Sequence, residues 1–135
     1  MTNASDEEVR NILKSSKTIA VVGLSANPDK PSNQVAAFLK EHGYTIIPVN
    51  PAHDELLGVT CYPSLSEIPF KIDIADVFRR SEDIPLVAAD AIKKGVKVFW
   101  MQEGIANNEA ADKLRAAGIT VVMDRCTKKE YMAQM

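Results

Sequence analysis

Short apolar runs alternate along this chain with stretches of helical spacing. Thr18 to Gly23 is a β-branched apolar run closed by glycine, the pattern of a strand buried on both faces. Comparable runs follow at Tyr44 to Val49, Ile72 to Phe78, Val96 to Met101 and Ile119 to Met123, with a shorter one at Val59 to Tyr62. Between them the period changes. Val35, Phe38 and Leu39 stand at i, i+3 and i+4 behind Ser32, a good N-cap, and Gly43 stops that helix. Ser81 is expected to cap a second helix from about Asp83 to Lys94, ended by Gly95. Asn107 or Asn108 opens a third, with Ala106, Ala110, Leu114 and Ala117 on one face and Gly118 as its stop. A leading helix, Asp6 to Lys14, carries Val9, Ile12 and Leu13 in helical spacing. Helical turns are expected at Ser64 to Ile68 and Lys128 to Met132. Strand and helix alternating throughout predict an α/β fold. It is a doubly wound, mostly parallel sheet of five to six strands, with right-handed crossovers and helices on both faces. The loop from Pro51 to Lys71 falls where such a sheet reverses direction.

Composition narrows the class. The 135 residues fit one domain, with a leading helix over 1–17 and a core over 18–131. Hydrophobic residues are 46%, charged residues 25%, and the net charge is −2, which excludes a disordered chain. That balance also argues against a nucleic-acid partner, which calls for a basic excess or stripe. No apolar run approaches the roughly 18 residues that span a bilayer, so no membrane association is expected. The stretch Met1 to Arg10 is acidic and polar, unlike a signal peptide. Cys61 and Cys126 lie far apart with no CxxC, which suggests reduced thiols of a cytoplasmic protein rather than a disulfide or zinc site.

In a doubly wound sheet the ligand sits beyond the C-terminal strand ends, at the switch point. The candidates are therefore the residues that follow each strand. Gly23, Leu24 and Ser25 lead through Lys30, Pro31, Ser32 and Asn33 into a helix N-terminus, which suits a phosphate, or else is an ordinary capped loop. Only Gly23 is a glycine here, so GxGxxG is absent. Asn50, then Pro51, stands where an NAD site carries an acidic residue; this permits a phosphorylated ribose, although Asn-Pro is also simply a good turn. Phe78-Arg79-Arg80 puts two guanidinium groups side by side, either to take a phosphate or to pair with Glu82 and Asp83. Trp100 beside Gln102 is a candidate wall for an adenine, or core. Cys126, after Asp124-Arg125, is either a reactive thiol or a small buried cysteine. No metal-ligand cluster and no Ser/His/Asp spacing accompanies His42 or His53.

Ile19-Ala-Val-Val-Gly-Leu-Ser25, Lys30-Pro-Ser-Asn33, Ile47-Pro-Val-Asn-Pro51, Leu57-Gly58, Tyr62-Pro-Ser-Leu65, Asp76-Val-Phe-Arg-Arg80, Val98-Phe-Trp-Met-Gln102 and Val121-Val-Met-Asp-Arg-Cys126, in this order, resemble the small stand-alone CoA-binding proteins. These are similar to the N-terminal domain of the succinyl-CoA synthetase α-subunit. The resemblance runs from Thr18 to Tyr131 and implies a Rossmann-like domain holding coenzyme A or acyl-CoA along the strand ends. It implies that the loop from Gly23 to Asn33 takes the phosphates and that Val49, Asn50 and Pro51 border the nucleotide. Phe78, Arg79 and Arg80 would flank the pantetheine and phosphate path, with Trp100 and Gln102 closing the next wall. Where the family more often has Arg, this chain has Lys30, which keeps the charge without the bidentate geometry. The synthetase's phosphorylated histidine lies in a further domain, so the resemblance implies a binding module, non-catalytic or accessory, rather than a ligase. A protein partner is an open expectation. Two alternatives compete: a fragment of an NAD(P)-dependent oxidoreductase, and a flavodoxin-like or receiver-like signalling domain. The second lacks a clustered acidic pair after the first strand for Mg²⁺.

Overall fold

The computed structural model describes residues 3–135; Met1 and Thr2, part of the leading segment, lie outside the described residues. Five strands form one parallel sheet: β1 (Thr18–Val22), β2 (Thr45–Val49), β5 (Ile74–Val77), β6 (Val98–Met101) and β7 (Thr120–Val122), in the order β2-β1-β5-β6-β7. The chain builds outward from β1 to β2, then crosses back to β5, so the switch point lies between β1 and β5. The predicted strand at Val59 to Tyr62 does not join this sheet as a full member. β3 (Glu55–Leu56) and β4 (Val59–Thr60) form a two-residue antiparallel ribbon, and only Tyr62 bridges to Val49.

Alternate strand residues feed two cores, as a sheet covered on both faces requires. Ala20, Val22, Ala75, Val77, Phe99 and Met101 pack under α3 (Ile84–Lys94) and α4 (Asn108–Ala116). Ile19, Val21, Ile74, Val98 and Trp100 pack under α1 (Asp6–Ser15), α2 (Pro31–Glu41) and α5 (Thr127–Gln134). The chain is thus a three-layer, Rossmann-like α/β domain.

Helix starts differ from the sequence pattern in instructive ways. α2 begins at Pro31 with Lys30 as cap, because a proline's fixed φ is already helical at the first position. Ser32 is therefore inside the helix. Ser81 opens a short 3-10 turn, Ser81–Asp83, ahead of α3 instead of capping it. Asn107 does cap α4, its side chain accepting from the Ala110 N–H at 2.9 Å. Ala106 and Ala117 fall outside that helix, and its buried face is Ala110, Ala111 and Leu114.

Candidate functional site

The loop after β1 is built to bring backbone close to backbone. Gly23 has φ +86°, and a Cβ there would lie 2.6 Å from the Phe78 carbonyl oxygen and 3.0 Å from Arg79 Cδ. Glycine lets the first loop lie against the one that follows β5. Gly23 N–H donates to Val49 O (2.9 Å) and Phe78 N–H to Val22 O (2.9 Å), so the sheet hydrogen bonding continues one residue past the strands.

The loop then folds onto the first turn of α2. Ser25 N–H donates to Ser32 Oγ at 2.9 Å, and Asn33 Nδ2 donates back to the Ser25 carbonyl at 2.9 Å. Asn33 and Gln34 N–H both donate to the Lys30 carbonyl (3.1 Å), and Pro31 has no N–H. Of the first helical N–H groups, Ser32 alone stays unpaired among the described residues. A helix N-terminus usually offers more. The positive charge here comes instead from side chains.

These side chains edge one groove of about 720 Å³ across the ends of β1, β5 and β6. Gly23, Ser25, Lys30, Pro31, Ser32 and Val35 form its α2 side. Phe78, Arg79, Arg80 and Ser81 come from the loop after β5. Gln102, Glu103, Gly104 and Ile105 come from the loop after β6, and Cys126 from the chain entering α5. The two arginines pair with the acids that follow them and also line the groove. Arg79 lies 3.6 Å from Asp83, and Arg80 lies 3.2 Å from Glu82 and 3.5 Å from Asp83, yet both face the groove. Such solvent-exposed pairs contribute little and can give way to a phosphate.

Below the floor lies a polar cluster of which sequence reasoning named only Gln102 as a site residue. Asp76 shares the α5-side face of its strand with Ile74 and is fully buried. It accepts hydrogen bonds from Gln102 Nε2 and from Thr127 Oγ1 (3.0 Å), and Gln102 Nε2 also donates to Thr127 Oγ1 at 2.9 Å. Burial pushes the Asp76 carboxyl up to about 7, against the two hydrogen bonds that favour its ionised form. The signal was an acidic residue inside an apolar strand, which burial can tolerate only with partners.

Six of the expected site residues do not line the groove. Trp100 does not close a wall: it is fully buried, packed in the α1/α2/α5 core, and its indole N–H donates to the Arg125 carbonyl at 2.7 Å. Leu24 is fully buried, Val49 nearly so, and Asn33 is spent on the loop. Asn50 fixes the neighbouring loop, its Nδ2 donating to the Leu24 carbonyl and its Oδ1 accepting from Ala52 N–H, both at 2.9 Å. Pro51 sits in the exposed turn beside it.

The groove residues, from Gly23 to Cys126, all fall within a match over residues 17–132 to the family described as CoA binding domain. The chain belongs to that CoA-binding family. The uncharacterized protein YneT of Bacillus subtilis is 50% identical to this CoA-binding domain over 128 residues, covering 95% of each chain. The ADP-forming acetate–CoA ligase II of Archaeoglobus fulgidus is 37% identical over 83 residues, which is 60% of this chain but 12% of the ligase. Among solved structures, a hypothetical protein from Pyrococcus horikoshii OT3 superposes with a TM-score of 0.93 at 42% identity, covering 97% of this chain and 92% of that one. The apo dinucleotide-forming acetyl-coenzyme A synthetase 1 of Ca. Korarchaeum cryptofilum gives 0.71 at 31% identity over 78% of this chain and 25% of its own. The CoA-binding domain thus matches a small part of these larger enzymes and nearly all of the small proteins. Among the described residues no helix is long and apolar enough to cross a membrane, and no group of His, Cys, Asp or Glu is placed to hold a metal.

Proposed function

We propose that this domain binds coenzyme A or an acyl-CoA in the groove at the strand ends, as a non-catalytic or accessory module. The observation that carries this reading is the convergence of Lys30, Arg79 and Arg80 on a single groove beside the α2 N-terminus, in a chain whose net charge is only −2. The ligand's phosphates meet these cations, the Ser32 N–H and the hydroxyls of Ser25 and Ser32. Val35, Phe78 and Ile105 give the groove the apolar side that a pantetheine arm needs. The groove's titratable groups include no histidine, which favours holding a ligand over proton transfer.

Calorimetry with CoA on the folded protein tests this, together with thermal shifts against NADH and NADPH. Saturable CoA binding with a raised melting temperature, and no shift with either nicotinamide cofactor, is the expected result. No saturable CoA binding at millimolar ligand removes the reading. A shift with NADH or NADPH alone moves the chain to the oxidoreductase class.

A further inference from the structure

A fully buried carboxyl lies under the groove, and phosphate recognition makes no use of it. Asp76 stands two residues before Phe78, which lines the groove. Its strand neighbours are Val21 of β1 and Trp100 of β6. It is bonded to Gln102, another groove residue, and to Thr127, which follows Cys126 of the groove wall. Gln102 thus links the carboxyl directly to the lining of the groove.

Among the described residues no cation pairs with Asp76. The elements packed on this face direct their charges elsewhere. On α5, Lys128 sits over the Phe38 ring at 5.3 Å, Lys129 pairs with Glu103 at 2.8 Å, and Glu130 pairs with Arg125 at 2.9 Å. On α1, Asp6 also pairs with Arg125, and Glu8 accepts the Ser5 N–H. Beyond α2, Lys40 Nζ donates to the Leu57 carbonyl. Of the other titratable groups, Tyr44 donates its hydroxyl to the Leu13 carbonyl, His42 and Tyr131 pack against Phe38, and Cys126 lies on the groove wall. A buried carboxylate without a cation is costly, and each further negative charge nearby favours its neutral form. The cluster can hold either form. The Thr127 hydroxyl and the Gln102 amide each carry a donor and an acceptor, so a protonated Asp76 finds an acceptor where the ionised one finds donors.

An anionic ligand brings such negative charge. Its phosphates sit above this floor and also neutralise Lys30, Arg79 and Arg80. Both effects raise the proton affinity of the carboxyl beneath, which already lies near 7 in the free protein.

We propose that ligand binding is coupled to protonation of Asp76: the groove takes CoA together with a proton from solvent, and holds the ligand more tightly in acid than in alkali. This rests on the CoA reading above. The sign follows from linkage, since a ligand that strengthens proton binding is itself bound more tightly, by the same factor, once the proton is on.

Titration calorimetry with CoA tests this between about pH 6 and 8, in pairs of buffers that differ in heat of ionisation, on wild type and Asp76→Asn. Near neutral pH the wild type is expected to take up about half a proton more per CoA than the variant. From the acid to the alkaline end its affinity should fall about threefold to tenfold further than the variant's. The ligand's own titrating groups enter both proteins equally. Infrared difference spectra of the wild type give a reading that needs no variant, because CoA should raise the carbonyl band of a protonated carboxyl. CoA binding with equal proton uptake in the two proteins, or without that band, overturns the proposal and leaves the groove reading standing. No saturable CoA binding at any of these pH values overturns both.

Discussion

Arg79 and Arg80 are held only by carboxylates that solvent reaches, at 3.2 to 3.6 Å. Losing them should cost the fold little and the ligand much. Replacing both with Ala is expected to weaken CoA binding about tenfold or more in low salt and less in high salt, as titration calorimetry at two ionic strengths would read. Unchanged affinity removes them from the site. Asp76 predicts a pH effect. Its carboxyl loses a proton near 3.8 in the unfolded chain and near 7 when folded, so folding takes up a proton between those values. Its contribution is therefore most favourable below about 4, declines by about 1 kcal/mol per pH unit and levels off above 7. Asp76→Asn removes the buried charge and keeps one of the two accepting oxygens, the other becoming an amide nitrogen that donates. Its stability relative to wild type should rise from pH 4 to 7 in urea denaturation, and a parallel pair of curves would refute the account. Gly23→Ala is expected to destabilise by about 2 kcal/mol or more, since it adds a left-handed backbone penalty to a clash with Phe78 O. The sequence made the strand-end positions legible because topology alone nominates them. It did not separate Arg79, which faces the groove, from Trp100, which alternates into the core, since that depends on where Arg125 brings its carbonyl.

At the scale of elements, the two hydrophobic periods made all five parallel strands and the main helices legible. Ends were less so, because they are set by competition. Pro31 starts α2 ahead of Ser32, and Ser32 turns to hold the Ser25 N–H instead. The capping box of α1, Ser5 with Glu8, was present in the sequence as Ser-x-x-Glu and is formed in both directions. The role of α5 was not legible, for its hydrophobic pattern is weak: Tyr131 packs against Phe38 and Tyr44, and polar contacts hold its start. Thr127 clamps its first turn to Asp76. Thr127→Val keeps the shape but strips Asp76 of one donor. It should cost about 1–3 kcal/mol near neutral pH and less near pH 5, where the carboxyl is protonated. Chemical denaturation at the two pH values checks this, and equal losses at both would show that the hydroxyl acts by packing alone.

At the scale of the molecule, the groove is made of loops from β1, β5 and β6 and the segment leading into α5, so ligand binding ties together parts that are far apart in sequence. A ligand at about a hundred times its dissociation constant should add about 2.7 kcal/mol to the unfolding free energy, visible as a higher melting temperature. The fold also has a feature that concerns the path of the chain itself. Asn3 exchanges hydrogen bonds with the Met123 backbone at 2.6 and 2.9 Å, and Arg125 reaches Asp6 and the Ala4 carbonyl. With α1 packed on α5, the polypeptide nearly closes into a ring whose seam lies on the helical face. Where the chain is cut matters less to such a ring than which elements it carries, so the same domain can stand alone or be spliced into a longer polypeptide with little rearrangement.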